Sequence, residues 1–106
     1  MKILFDQGVP VPLRSRLVGH EIFTAYELAW STLKNGDLLS AAEKAGFELL
    51  LTTDQKLKYQ QNLVGRRISI VVLLSTSWPR IEKPVDAIEA AISQASPGSY
   101  EEVAIP

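Results

Sequence analysis

Short apolar runs alternate along the chain with segments of helical character. Four runs have strand length, and the last of them is a continuous Ile-Val-Val-Leu-Leu stretch, as in a strand buried on both faces: Lys2–Phe5, Glu21–Ala25, Phe47–Thr52 and Ser69–Leu74. Helices are predicted between and after them, over Val11–Val18, 37–46, Gln55–Asn62 and 81–96. This order predicts an α/β domain with a mostly parallel sheet, in which right-handed crossovers put helices on both faces.

Turn and capping residues mark where these elements begin and end. Asp37 follows Asn35-Gly36 and is predicted to cap the next helix, and Gly46 is predicted to end it. Asp54 is predicted to cap the helix that follows the third strand. The sequence leaves the secondary structure of two segments undecided. Residues 26–35 form a short helix or a loop, and Tyr100–Ile105 is an edge strand or an ordered tail.

The last predicted helix carries a plain amphipathic stripe. Its apolar residues recur at spacings of 4, 3, 4 and 3: Ile81, Val85, Ile88, Ile92 and Ala95. Pro79 and Pro84 bracket the entry to this helix, and Pro97-Gly98 ends it.

Composition narrows the classes of function. A chain of 106 residues predicts one domain, residues 1–106. With no Cys and one His, His20, disulfides, thiolate chemistry and a two-His zinc motif are excluded, and a cytoplasmic location is expected. No apolar run is long enough for a membrane span, and Asp6 falls too early for a signal peptide. The net charge of −1 does not suit nucleic-acid binding by bulk electrostatics.

Three acidic residues stand where strands end or helices begin. Asp6 follows the first strand and Asp54 the third, and ligands of open parallel sheets bind at that edge. If 26–36 crosses this edge, Asp37 joins them, with Glu27 as a fourth candidate. Carboxylates without His or Cys select Mg²⁺ or Mn²⁺, which can orient a water and stabilise charge on a phosphodiester. Alternatively, Asp37 and Asp54 are only helix caps.

Other polar residues lie near the predicted edge. Thr52 and Thr53 have hydroxyls that can hold a metal-bound water or a phosphate, although such residues more often form turns. Four basic residues flank Asp54 and are candidates for contacts to a nucleic-acid backbone: Lys56, Lys58, Arg66 and Arg67. Tyr59 and Gln60-Gln61 lie between them and can contact a base. A solvated helix face explains the same pattern equally well.

Several motifs in order resemble the small PIN-like family: Met-Lys-Ile-Leu-Phe-Asp at the start, Gly19-His20-Glu21, Asn35-Gly36-Asp37 and Leu51-Thr52-Thr53-Asp54. The resemblance implies a PIN-like three-layer α/β/α sandwich whose acidic residues bind Mg²⁺ or Mn²⁺ and cleave RNA, often beside an antitoxin-type protein partner. By position it implies metal-binding and catalytic roles for Asp6, Asp37 and Asp54, with Glu27 as the intermediate acid. Gln7 and Gln55 stand where many relatives have further acids, which lowers the negative charge of the pocket.

Three functions follow as hypotheses. The first is a metal-dependent ribonuclease that serves as the toxin component of a toxin–antitoxin pair. The second is a receiver-like phosphoacceptor domain with Asp54 as the acceptor, although Gln7 and the segment 75–79 lack the acid and Lys that a receiver needs. The third is a non-catalytic binding or assembly module on the same fold, which the apolar end Val103–Pro106 suits. A homodimer is compatible with each.

Overall fold

Five parallel strands form the centre of the protein. A computed structural model describes residues 1–60 and 63–106. The strands are β1 (Lys2–Phe5), β2 (Glu21–Thr24), β3 (Leu49–Thr52), β4 (Ser69–Leu73) and β5 (Tyr100–Val103), arranged in the order β2-β1-β3-β4-β5. A 3-10 helix covers Val11–Arg16, and the α-helices are α1 (Asn35–Lys44), α2 (Leu57–Gln60), α3 (Trp78–Ile81) and α4 (Val85–Gln94).

Helical layers cover both faces of the sheet, because alternate side chains of each strand point to opposite sides. On the first face, Phe5, Leu51 and Val71 pack with the 3-10 helix, α3 and α4. On the second face, Leu4, Leu50 and Ile70 pack with α1 and α2. The α/β domain predicted from the alternating pattern, with a parallel sheet and helices on both faces, is confirmed, and its layers form an α/β/α sandwich.

The strands lie close to the predicted positions. β4 is buried at every residue, as its continuous apolar run predicts. Residues 100–103 form an edge strand, which settles the choice left open for this segment. The segment between β2 and α1 consists of turns. The prediction of a helix over Gln55–Asn62 agrees with α2 in part, and Gln61 and Asn62 lie outside the described residues.

The start of α1 corrects one prediction. Asp37 does not cap this helix: the N-cap is Lys34, and Asp37 is an exposed residue of the first turn. Its negative charge there still favours the helix through the macrodipole. The predicted end is confirmed, because Gly46 has a φ of +83° and its amide donates to the Glu43 carbonyl at 3.1 Å, while that of Phe47 donates to Ala42 at 3.0 Å. These two bonds form a Schellman motif.

The four crossovers do not share one hand. The β1–β2 connection passes over the first face, and the β2–β3 and β3–β4 connections pass over the second face in the opposite direction, so these three have the same hand. The β4–β5 connection crosses the sheet in the same direction as β3–β4, but its helix α4 packs on the first face. This crossover therefore has the opposite hand. Parallel crossovers have one hand in about 98% of cases. Here the short 3-10 helix leaves much of the first face uncovered, and α4 fills it.

Within the described residues, no helix is both long enough and apolar enough to cross a bilayer.

Candidate functional site

The strand order places a switch point between β1 and β3. From β1 the chain moves to β2 on one side, and β3, β4 and β5 follow on the other. Ligands of open parallel sheets bind in the crevice outside the carboxyl ends of the two strands at such a point. Asp6 directly follows β1, and Asp54 lies two residues beyond β3. Both acids therefore belong to the edge at which the fold favours a ligand.

The hydroxyl of Thr52 connects the two acidic residues. It donates to Asp6 Oδ2 at 2.7 Å and accepts the backbone amide of Asp54 at 3.1 Å. Thr52 is buried at the end of β3, whereas both acidic residues are partly exposed. One buried hydroxyl thus fixes the Asp6 carboxylate against the turn that carries Asp54.

Backbone amides hold each carboxylate in place. Asp6 Oδ1 accepts the amide of Gln7 at 2.8 Å, and Asp54 Oδ1 accepts that of Lys56 at 2.9 Å, within the turn that precedes α2. The two loops also touch, because a Cβ atom on Gly8 would lie 2.2 Å from Thr53 Oγ1. A larger residue at position 8 would push Thr53 away, so glycine allows this close approach.

A cleft of about 270 Å³ opens beside Asp6, between the carboxyl ends of β1 and β2. Its apolar part comes from Val9, Val11, Ala25 and the ring of Tyr26, and its polar part from Gln7, Thr24, Arg14, Glu27 and Asp6. Of the predicted acidic residues, the cleft brings together Asp6 and Glu27.

Glu27 is held by an ion pair and by the backbone. Both of its carboxylate oxygens accept hydrogen bonds from Arg14, and Oε1 also accepts the Thr24 amide at 2.9 Å. In return, Thr24 Oγ1 accepts the Glu27 amide at 3.1 Å, which completes a capping box. Arg14, and next the Thr24 amide, hold the pKa of Glu27 at about 2, below its ordinary 4.5.

Asp37 lies apart from this group. α1 carries the chain from the carboxyl end of β2 back to the start of β3, so its first turn lies towards the carboxyl edge. No hydrogen bond among the described residues joins Asp37 to Asp6, Asp54 or Glu27. In the same described part of the chain, no three acidic or His side chains are placed to hold one metal ion.

The residues at the switch point still match Mg²⁺ or Mn²⁺ in chemistry. Oxygen donors suit these ions, and Mg²⁺ commonly takes one or two carboxylates, with waters and substrate phosphates as the remaining ligands. Asp6 and Asp54 supply two carboxylates on neighbouring strands. Because Glu27 is bound to Arg14, Asp6 and Asp54 are the two carboxylates here that could bind a cation.

The four predicted nucleic-acid-binding residues are divided between the two edges of the sheet. Lys56 and Lys58 follow β3, whereas Arg66 and Arg67 precede β4. Lys58 pairs with Glu102 at 3.2 Å, and this hydrogen bond raises the pKa of Lys58. Of the proposed base contacts, Tyr59 is exposed, and Gln61 lies outside the described residues.

Arg66 has a structural partner in α1. It pairs with Glu43 at 2.7 Å, and Glu43 also accepts the Arg67 amide at 2.8 Å. Burial acts to raise the pKa of Glu43, but these hydrogen bonds outweigh it and leave the pKa below its ordinary value. The Arg66 guanidinium therefore fastens the loop before β4 to α1.

Sequence reasoning missed Arg14 and Tyr26 as residues of the cleft. Arg14 lies in the 3-10 helix, thirteen positions before its partner Glu27, and no local spacing announces such a pair. A signal did exist for the turn, since Thr24-Ala25-Tyr26-Glu27 has the T-x-x-E pattern of a capping box.

Fold and site together define an α/β/α protein with a cleft at the carboxyl edge of a parallel sheet. No family model, curated protein or solved structure matches the chain. The likeness to the small PIN-like family therefore remains a prediction from the sequence motifs.

Proposed function

We propose that the protein is a metal-dependent ribonuclease of PIN-like type that hydrolyses RNA phosphodiesters at the carboxyl edge of its sheet. The observation that carries the proposal is the Thr52 hydroxyl, which ties the Asp6 carboxylate to the turn of Asp54 at the switch point. Two carboxylates fixed in this way suit Mg²⁺ or Mn²⁺, which would stabilise charge on the phosphodiester and provide an activated water.

The residues of the site have distinct roles in this proposal. Asp6 and Asp54 bind the cation, and Thr52 is a positioning residue that orients Asp6. Of the other two predicted metal ligands, Glu27 is held by Arg14, and Asp37 stands in the first turn of α1 with no role assigned to it here. Lys56 lies two residues beyond Asp54 and is the predicted basic residue best placed to meet the RNA backbone.

The test is cleavage of a 5′-labelled single-stranded RNA in Mn²⁺ or Mg²⁺. Wild-type protein should cleave, EDTA should abolish cleavage, and Asp6→Asn and Asp54→Asn should each lower the rate by about 100-fold or more. Asp86→Asn is the matched control, because Asp86 is an exposed acid in the first turn of α4. Cleavage that survives both Asp6→Asn and Asp54→Asn contradicts the proposal.

A second candidate, a non-catalytic binding or assembly module, is favoured by one observation. The Arg14 guanidinium bonds to both carboxylate oxygens of Glu27. It neutralises this carboxylate as a bound metal ion otherwise would, so the cleft needs no metal to balance the charge of Glu27. In calorimetry with Mn²⁺, no heat of binding together with a stable partner complex supports this candidate over the ribonuclease.

The biological setting belongs to the same proposal. The resemblance to the PIN-like family suggests a toxin component held by an antitoxin-type protein partner, and a homodimer is compatible with it. The absence of Cys from the sequence agrees with a cytoplasmic location.

A further inference from the structure

The cleft beside Asp6 has an apolar wall that the hydrolysis of a phosphodiester does not use. Tyr26 is 80% exposed and Val11 58% exposed, yet both line the cleft. Large apolar side chains that remain in water at the rim of a cleft commonly mark a ligand site.

Hydrogen bonds fix the turn that carries Tyr26, and they involve the residues before and after it in the chain. The Ala25 amide donates to the Phe5 carbonyl at 2.9 Å, and the Trp30 amide donates to the Ala25 carbonyl at 2.8 Å. Glu27, the next residue, is bound to Thr24 and Arg14. A planar ligand would therefore meet a ring whose backbone is already ordered, which reduces the entropy lost on binding.

The charges of the cleft favour a neutral ring over a phosphate. Arg14 is the cation among the lining residues, and Glu27 already neutralises it. Asp6 adds a further negative charge that repels a phosphate. What remains is an aromatic and aliphatic wall with the Gln7 side chain beside it, and an amide can read the edge of a base.

We propose that this cleft is a nucleobase subsite in which a base stacks on Tyr26. The assignment rests on the proposed function, since it places the base of a nucleotide next to the phosphodiester at Asp6. Stacking on an aromatic side chain strengthens binding by about 5- to 150-fold per base, with little preference among bases. The subsite would thus select unpaired RNA over duplex RNA, whose bases are not free to stack.

The test measures binding without cleavage. Adenosine, which carries no phosphate for Asp6 to repel, and a labelled hexaadenylate are titrated in EDTA, by NMR of the tyrosine rings and by fluorescence polarisation, respectively. Tyr26→Ala should weaken both ligands about tenfold, and Tyr26→Phe, which keeps the ring, should bind as wild type does. Val18 is exposed to a similar degree, 84%, but does not line the cleft, so Val18→Ala should leave adenosine binding unchanged.

Several outcomes overturn the subsite. They are the absence of binding of both adenosine and the hexaadenylate, an affinity unchanged by Tyr26→Ala, or an equal loss caused by Val18→Ala. A Phe-containing peptide that shifts the Tyr26 resonances where adenosine does not would identify a protein ligand and also overturn it. Because these arms contain EDTA, failure of RNA cleavage in Mn²⁺ is a separate result that concerns the ribonuclease alone.

Discussion

Thr52 is the residue on which the geometry of the site depends. Its hydroxyl is buried, donates to Asp6 and accepts from the Asp54 amide. Valine has the same shape without the hydroxyl, so Thr52→Val removes both bonds and leaves the packing of β3 intact. Water can reach the partly exposed Asp6, which keeps the cost of the lost bonds moderate.

A double-mutant cycle measures this contact. Thr52→Val should lower the free energy of unfolding by about 1 kcal/mol, and its effect should be coupled to that of Asp6→Ala by a similar amount. Urea unfolding of the two single variants and the double variant gives the coupling. Asp37→Ala is the control, because it lies on α1 and should be additive with Thr52→Val. Strict additivity of Asp6→Ala and Thr52→Val would contradict the contact.

Glu27 gives the protein a predictable response to acid. The Arg14 guanidinium holds the pKa of Glu27 at about 2 in the folded state, below the ordinary value of 4.5. A lowered folded-state pKa stabilises the protein above about pH 4.5, and this contribution is lost as the pH falls towards 2. The unfolding free energy of wild type should therefore fall over this range more steeply than that of Glu27→Gln. Superimposable profiles would show that the ion pair does not form.

At the scale of elements, the end of α1 is governed by one glycine. Gly46 adopts a left-handed conformation with a φ of +83°, and a residue with a Cβ atom is strained there. Gly46→Ala should lower the free energy of unfolding by about 1 kcal/mol, with a smaller loss for Gly46→Asn, since Asn tolerates this region better. Equal stability of all three proteins in urea would contradict the Schellman motif.

Local signals explain which elements could be predicted from the sequence. The apolar run of β4 is a local signal and is found. The predicted helix over 81–96 is found in part: α4 carries the stripe from Val85 to Ile92, whereas Ile81 belongs to the separate helix α3. Gly46 ends a helix through its own backbone freedom, which is also local. The predicted start of α1 is wrong because the sequence favours Asp37 as the N-cap, whereas Asn35 and Gly36 already form the first two residues of the helix.

Features set by contacts between distant residues could not be predicted. The helix α4 packs on the first face because the 3-10 helix covers little of that face. This is a property of the assembled sheet, and a short stretch of sequence does not reveal it. The pairing of Arg14 with Glu27 likewise arises when the 3-10 helix and the turn after β2 come together. Asp6 and Asp54 were located correctly at one edge, because parallel strands align their carboxyl ends.

At the scale of the whole molecule, the sheet edge combines two environments. Asp6, Thr52 and Asp54 form the charged and hydrogen-bonded part at the switch point, and the cleft with Tyr26 forms the apolar part beside it. With a net charge of −1, the protein has no large electrostatic attraction for RNA. Affinity would then depend on the cation and on base stacking, so binding should weaken less with salt than it does for a strongly basic protein.

Mn²⁺ binding followed by NMR tests the central claim, that Asp6 and Asp54 form one cation site, most directly. At substoichiometric Mn²⁺, the amide signals of Gln7, Thr53 and Asp54 should broaden first, because a paramagnetic ion acts on its nearest neighbours. Those around Gly46, which lies at the opposite edge of the sheet before β3, should remain sharp. The broadening should disappear in Asp6→Asn and Asp54→Asn. Broadening centred on α1 or α4, or none at all, would contradict a cation site at the switch point.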